Sequence, residues 1–296
     1  MRCFPTKLIL VFMILSRFCL IVSLLCCVLF VGCATNKQNQ MEFMSEDKLY
    51  QKARSYMTER KFTQAIEAYQ MLENRFPFGQ YAENAQLEII LAQYKASEYE
   101  AAIVSADRFI RLHVNHPESD YAYYYRGLAA FDANRSIFDR FFNLDMSERD
   151  PSAAKESFNN FAELLNKYPD SRFAADARGR MIYLRNILAR HEVHIADFYL
   201  RRGAYTAAVN RGSYVVEHFQ RSTAVGDALA IMIQGYQMMG MDRLANDTLR
   251  VLKLNFPEHL AIKKDGTFNP KYTLEASEIK AAAEGTNGLR SPIKTN

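Results

Sequence analysis

Residues 62–77 read FTQAIEAYQMLENRFP, an amphipathic stretch that ends at a proline. Ala65, Ile66 and Tyr69 recur at helical spacing, which predicts an α-helix with one apolar face. Pro77 marks the end of this helix, because proline lacks a backbone N–H and cannot continue the hydrogen-bonded turns. The small Ala65 side chain allows a neighbouring helix to approach closely. The stretch therefore predicts one helix of a packed helical pair.

The same pattern recurs along the chain at a fixed period. Ala65 and Ala102 are 37 residues apart, and so are Ala208 and Ala245. Helices of the pattern end before a proline at Phe76-Pro77, His116-Pro117, Tyr168-Pro169 and Phe256-Pro257. A repeat of this length, built from two helices, is typical of tetratricopeptide proteins. The sequence thus predicts an all-α fold, a tetratricopeptide-like array of about five helical hairpins forming an α-solenoid.

Ten helices follow from this pattern. They are predicted at residues 45–59, 62–75, 80–96, 99–112, 119–133, 151–167, 171–202, 205–219, 223–239 and 242–255. The seventh contains no proline and would be about 48 Å long at 1.5 Å per residue, with Gly203 as its cap. Residues 134–150 lengthen the turn of the third hairpin.

The chain divides into five predicted segments. Residues 1–32 are a signal peptide and residues 33–44 a polar, lipidated tether. The N-terminal hairpins occupy residues 45–170, and the long helix with the C-terminal hairpins occupies residues 171–257. Residues 258–296 are rich in Lys, Gly, Thr and Asn. That last composition predicts a flexible tail with at most a short helix near its middle.

The N-terminal segment has the features of a lipoprotein signal. A basic start precedes the apolar residues 8–31, and Gly32 stands directly before Cys33. A small residue before the cut is typical of a cleaved secretory signal. The Cys33 sulfur can then take a diacylglycerol, which holds a protein at a membrane surface.

Two alternatives to this interpretation stay open. The apolar stretch is about long enough to be an uncleaved membrane anchor. Arg17 argues against that alternative, because a charge near the bilayer centre costs about 3 kcal/mol. Translation from Met13 would instead place Arg17 in the basic start of a shorter signal.

Composition and charge exclude several classes of protein. The chain has 296 residues, of which 49% are hydrophobic and 24% charged, the balance of an ordinary folded protein. Its formal net charge is +4, but Arg2, Lys7 and Arg17 lie in the segment predicted to be removed. The remaining chain is nearly neutral, so no nucleic acid partner is expected.

The sequence contains no recognisable catalytic or metal-binding constellation. Nucleotide-binding loops, the serine nucleophile motif and the zinc protease motif are all absent, and no cysteine follows Cys33. The pairs His113/His116 and His191/His194 lack further ligands at suitable spacing. We therefore expect no enzyme activity, no metal, and no cofactor other than the covalent lipid on Cys33.

Aromatic residues supply the candidate binding surface. The run YAYYY at residues 121–125 has more rings than one buried helical stripe absorbs, so some rings are expected to reach a groove. The predicted peptide-binding groove residues are Phe78, Tyr81, Tyr121, Tyr124 and Phe131.

Several turn and insert residues resemble one particular family. The matching stretches are Asn74-Arg75-Phe76-Pro77-Phe78-Gly79, Asp107-Arg108-Phe109-Ile110-Arg111-Leu112, His116-Pro117 with Asp120-Tyr121, Arg126-Gly127-Leu128, Arg149-Asp150-Pro151, Tyr168-Pro169 with Ser171, Leu188-Ala189, Arg202-Gly203-Ala204-Tyr205 and Ala208-Val209-Asn210-Arg211. Together with the signal ending at Cys33, they resemble the BamD (ComL) family of outer-membrane lipoproteins.

This resemblance implies a function in assembling β-barrel proteins of the outer membrane. It implies that the N-terminal hairpins bind unfolded barrel precursors and that the C-terminal hairpins dock on the POTRA region of a BamA-like barrel subunit. Other Bam lipoproteins are further implied partners, and the implied location is the periplasmic face of the outer membrane, reached through the lipid anchor. The partner-docking arginine of the family falls on Arg211, for which an intramolecular pair with Glu217 is the alternative.

A second function remains possible at the level of sequence. A tetratricopeptide lipoprotein that serves as a scaffold for another envelope machine, such as a pilus-secretin pilotin or a cell-wall and division coordinator, would share the signal and the hairpins. It would lack the Pro77-Phe78-Gly79 turn and the insert at residues 134–150, which carries Phe141 and Phe142.

Overall fold

A computed structural model describes residues 41–133, 147, 150–269 and 271–284 of the chain. The signal segment with Cys33, most of the insert at residues 134–150, and residues 285–296 lie outside the described residues. Within the described residues, regular secondary structure is α-helical apart from one isolated β-bridge between Ile262 and Phe268. The predicted all-α class is confirmed.

Eleven helices are found in the described residues. They are α1 (Glu46–Thr58), α2 (Phe62–Arg75), α3 (Ala82–Lys95), α4 (Tyr99–Leu112), α5 (Ser119–Ala133), α6 (Ser152–Lys167), α7 (Ala174–Arg201), α8 (Tyr205–His218), α9 (Val225–Met238), α10 (Asp242–Asn255) and α11 (Leu274–Glu284). Each of the ten predicted helices is present with ends within three residues of the predicted ones.

The chain forms two compact units, the first ending at Gln86 and the second beginning at Leu87. In the first unit α1 packs on α2, and both bury small and aromatic residues, among them Ala53 and Tyr69. In the second unit each helix from α4 to α9 packs on its successor, and α7 also contacts α9. These neighbour contacts make up a tetratricopeptide-like array of helical hairpins.

Helix α7 is the long helix that the sequence predicted. It has 28 residues, or about 42 Å at 1.5 Å per residue. Gly203 ends it with φ at +75°, a left-handed conformation that glycine adopts without steric cost. The Ala204 N–H then donates to the carbonyl of Tyr199 at 3.0 Å, which satisfies one of the last carbonyls of the helix.

The segment from residue 258 to residue 284 differs from the flexible tail that the sequence predicted. Phe268, Tyr272 and Leu274 are 7%, 5% and 5% exposed and belong to the same core as Ile233 of α9. Their irregular spacing among lysine, threonine and asparagine gives no helical period, so the sequence pattern did not show them as core residues. The described part of this segment is folded onto the C-terminal hairpins.

Candidate binding surfaces

The turn between α2 and α3 presents a fully exposed aromatic ring. Phe78 is 99% exposed, and the turn behind it rests on the beginning of α1. The Tyr81 N–H donates to Glu46 Oε1 at 2.9 Å. A Cβ on Gly79 would lie only 2.2 Å from the same oxygen. A larger residue at position 79 would displace the Glu46 carboxylate from this contact, and Phe78 is held away from the protein.

Tyr81 lies beside this turn and is partly buried. Its ring stacks on Tyr50 with centroids 4.3 Å apart, and its hydroxyl donates to Asp47 Oδ1 at 3.1 Å. That hydrogen bond to a carboxylate raises the pKa of Tyr81 above its ordinary value. Tyr81 is intermediate in exposure, and its part in peptide binding stays a prediction.

The tyrosine run of α5 is mostly engaged inside the second unit. Tyr124 is 9% exposed, stacks on Phe173 at 4.4 Å, and its hydroxyl donates to Asp176 Oδ2 at 2.7 Å. Phe131 is 5% exposed and packs edge-on against Tyr183 at 5.9 Å. Both residues are core residues. This placement corrects the expectation that they line an open groove, because α5 packs on helices at several of its faces.

Tyr121 is the partly exposed member of the run that sequence analysis selected. Its ring lies 4.6 Å from that of Tyr125, and the guanidinium of Arg172 lies 6.0 Å from its centroid. Burial, followed by the nearby Tyr125, raises the pKa of Tyr121 well above its ordinary value. Tyr121 therefore stays a neutral phenol whose partly exposed ring lies under the cation of Arg172.

Arg211 lies on α8 with its side chain 44% exposed. Its Nη1 pairs with Glu192 Oε2 of α7 at 2.8 Å, and the Glu192 side chain is 18% exposed. The sequence alternative paired Arg211 with Glu217, but Glu217 instead accepts a hydrogen bond from Ser213 at 2.9 Å. Arg211 thus has an intramolecular partner on a different helix and still presents part of its guanidinium to solvent.

A buried ion pair joins α7 to α9, and sequence analysis missed it. Arg190 Nη1 lies 2.5 Å from Asp227 Oδ2, and both side chains are 4% exposed. Tyr272 donates its hydroxyl to Asp227 Oδ1 at 2.7 Å. His259 accepts the Ala261 N–H at Nδ1, so its Nε2 carries the hydrogen donated to Asp227 at 3.1 Å.

These contacts determine the ionisation of Asp227. Burial acts to raise its pKa, but the hydrogen bond from His259 and the charge of Arg190 outweigh burial and hold the pKa well below its ordinary value. In the sequence, this buried ion pair is indicated only by Asp227, a single carboxylate within the apolar stretch VGDALAIMIQGYQM of α9. A buried carboxylate requires a partner of opposite charge.

The histidine pair His191/His194 serves as a set of hydrogen-bonding groups. His191 Nδ1 donates to the Ser147 carbonyl at 2.8 Å, and His194 Nε2 lies 3.0 Å from the Ser147 hydroxyl. Among the described residues, no group of three or more histidine, cysteine or acidic side chains is arranged to hold a metal ion. In the same part of the chain, no helix combines the length and the apolarity needed to cross a bilayer.

Helical hairpins packed in sequence, with partly exposed aromatic and arginine side chains, define a tetratricopeptide-like binding protein. The family model described as "YfiO: Outer membrane lipoprotein" matches residues 42–252. The chain therefore belongs to the YfiO (BamD) family of outer membrane lipoproteins.

Curated relatives agree with this assignment. The chain is 40% identical over 220 residues to "Outer membrane protein assembly factor BamD" of Neisseria meningitidis serogroup B, covering 74% of this chain and 82% of the relative. Proteins with the same name from Xylella fastidiosa strain 9a5c and Vibrio cholerae are 35% and 34% identical. Those matches cover 87% and 79% of this chain, and 90% and 96% of the relatives.

Proposed function

We propose that the chain is a non-catalytic lipoprotein subunit of the outer-membrane β-barrel assembly (Bam) complex. It helps to recognise unfolded β-barrel proteins and to insert them into the outer membrane, and acyl chains on Cys33 hold it at the periplasmic face. The observation that carries this proposal is membership of a family whose curated members are named outer membrane protein assembly factor, with a match spanning both units.

The docking surface of this proposal is the exposed part of Arg211. Its guanidinium can form a bidentate bond to a carboxylate of the barrel subunit's POTRA region, the strongest geometry available to a side-chain ion pair. Glu192 holds the Arg211 side chain in place through one nitrogen, Nη1. The remaining donors of the guanidinium are left for a partner.

The experiment that tests docking compares two charge reversals. Arg211→Glu should lower co-purification of the barrel subunit at least tenfold, because the change places a carboxylate opposite the partner's carboxylate. Arg221→Glu makes the same charge change at another exposed position and should leave co-purification unchanged. Equal recovery of the barrel subunit with both variants would contradict the assignment of Arg211.

Client binding is tested best at Tyr121. Barrel precursors end in a strand with alternating aromatic residues, and the partly exposed ring of Tyr121, with Arg172 over it, can contact such a ring. Tyr121→Ala should weaken binding of a C-terminal barrel peptide in a fluorescence titration. Tyr214→Ala removes a ring that is 42% exposed and serves as the control. If the Tyr121 variant binds the peptide with unchanged affinity, the assignment of Tyr121 to the client-binding site is contradicted.

A further inference from the structure

Two phenylalanines of the first unit are the most exposed large apolar side chains of the described residues. Phe78 is 99% exposed and Phe43 is 86% exposed. A single exposed apolar residue needs no explanation, but two fully exposed rings in one small unit indicate a surface that is covered in use.

The two rings occupy equivalent positions in two tight turns. Phe43 is the third residue of a turn closed by a hydrogen bond from the Met44 N–H to the Met41 carbonyl at 3.2 Å. Phe78 is the third residue of a turn closed by a bond from the Gly79 N–H to the Phe76 carbonyl at 3.0 Å. Each ring therefore stands at the tip of a fixed turn.

Hydrogen bonds on both sides join these turns to each other. Before the Phe78 turn, Arg75 Nη1 donates to the Met41 carbonyl at 3.1 Å. After it, the Tyr81 N–H donates to Glu46 Oε1 at 2.9 Å. Phe43 lies between Met41 and Glu46 in sequence, and Phe78 lies between Arg75 and Tyr81. The two turns are consequently held close together in the first unit.

The sequence places this face close to the predicted lipid anchor. Phe43 follows Cys33 by ten positions in the chain. Whatever its conformation, a chain of ten residues spans at most about 36 Å. When the acyl chains of Cys33 are inserted in a bilayer, the Phe43 turn thus lies within about 36 Å of the membrane surface and can reach it.

We propose that Phe43 and Phe78 form a second membrane contact, in which both rings insert into the interfacial region of the bilayer that holds the Cys33 acyl chains. This inference rests on the lipid anchor of the proposed function. Apolar and aromatic side chains insert at the membrane interface, so the two rings would add to the binding that the acyl chains of Cys33 provide.

The surroundings of the two rings favour a bilayer over a peptide. A ring exposed on all sides at the tip of a turn offers a peptide no concave surface, whereas it can enter a lipid interface without any rearrangement. The nearby side chains of Glu42 and Asp47 are exposed and acidic, which disfavours a strongly anionic surface. The partner is therefore a zwitterionic lipid interface.

The absence of tryptophan from the chain allows a direct test. Phe43→Trp, Phe78→Trp and, as control, Leu112→Trp each introduce one fluorophore at an exposed position of the full-length lipoprotein. The proteins are placed in phosphatidylcholine vesicles that carry bromine on the upper acyl chain. We expect blue-shifted emission and strong quenching at positions 43 and 78, and neither at position 112.

A second measurement uses removal of the rings. The double variant Phe43→Ser, Phe78→Ser should leave the vesicles about tenfold faster than the unaltered lipoprotein. The matched double variant Leu112→Ser, Val114→Ser removes two other exposed apolar side chains and should leave at the unaltered rate. Equal rates for the two double variants would overturn the proposal.

The remaining outcomes separate this inference from the proposed function. Indoles at positions 43 and 78 that are unquenched in vesicles, or that respond only to an added barrel C-terminal peptide, would overturn the membrane contact. The mass of the N-terminal peptide reports independently whether Cys33 is acylated. If Cys33 is not acylated, the lipid anchor of the proposed function is contradicted. Quenching of the tryptophans at positions 43 and 78 would still show whether these positions contact the bilayer.

Discussion

The packing of α5 on α6 requires glycine at position 127, the centre of the stretch Arg126-Gly127-Leu128. A Cβ at this position would lie 2.8 Å from the ring of Phe161, which is 1% exposed and cannot move aside. The backbone of Gly127 is also in use, since its carbonyl accepts a hydrogen bond from Ser157 at 2.8 Å. Glycine thus sets how closely α5 and α6 approach each other.

Gly127→Ala should lower the free energy of unfolding by about 1–3 kcal/mol, because the added methyl overpacks the contact with Phe161. Gly179→Ala is the matched control, since a Cβ there meets no atom within 4 Å. In an exposed helical position alanine should stabilise by about 0.5–1 kcal/mol. Urea unfolding of both variants checks the prediction. If Gly127→Ala leaves the free energy of unfolding unchanged, the close contact between Gly127 and Phe161 is contradicted.

Asp227 is the residue on which the C-terminal hairpins depend electrostatically. Asp227→Asn should cost about 3 kcal/mol of unfolding free energy, because the buried guanidinium of Arg190 loses the carboxylate 2.5 Å away and keeps the more distant one of Glu278 at 3.6 Å. The control Asp247→Asn breaks an exposed pair with Arg250 and should change stability by less than about 1 kcal/mol. Urea unfolding measures both variants. If both lose a similar amount of unfolding free energy, burial does not make the pair of Asp227 stronger than an exposed pair.

The pH dependence of the same variant follows from the lowered pKa of Asp227. A carboxylate whose pKa is lower in the folded state stabilises fully above its ordinary pKa of 3.8. That stabilisation is lost as the pH falls from the ordinary value towards the folded one. The difference in unfolding free energy between the unaltered protein and Asp227→Asn should therefore be constant above about pH 5 and shrink below about pH 4.

At the scale of elements, α5 shows where sequence patterns stop being informative. The run of tyrosines predicted rings in excess of one buried stripe, yet Tyr123 and Tyr124 are both buried. A single helical period describes burial on one face, whereas α5 packs on α4 and α6 and shares a core with residues of α7. The number of buried faces depends on the neighbours, which the local sequence does not contain.

The C-terminal segment gives a second test at this scale. Leu274→Ala should lower the free energy of unfolding by about 2–4 kcal/mol, because Leu274 is 5% exposed and leaves a cavity in the core of the C-terminal hairpins. Ile279→Ala on the same helix removes a side chain that is 65% exposed and should have little effect. If both variants unfold like the unaltered protein, the segment is a flexible tail after all.

At the scale of the whole chain, the repeat and the helix ends could be predicted and the long-range pairs could not. Pro77 and Gly203 act through the backbone of their own turns, so their effect is visible in the local sequence. The pairing of Arg190 with Asp227 joins residues 37 positions apart and depends on how α7 meets α9. For the same reason the sequence could offer only Glu217 as the alternative, intramolecular partner of Arg211, whereas the structure pairs Arg211 with Glu192.

The central claim is membership of the outer-membrane barrel assembly machinery, and one measurement tests it most directly. The tagged mature lipoprotein is purified from envelopes in mild detergent, and the proteins that accompany it are identified by mass spectrometry. We predict a large outer-membrane barrel with periplasmic POTRA domains as the main partner, depleted in the Arg211→Glu variant. Recovery of a secretin or of cell-wall enzymes without that barrel would contradict the account and favour a scaffold of another envelope machine.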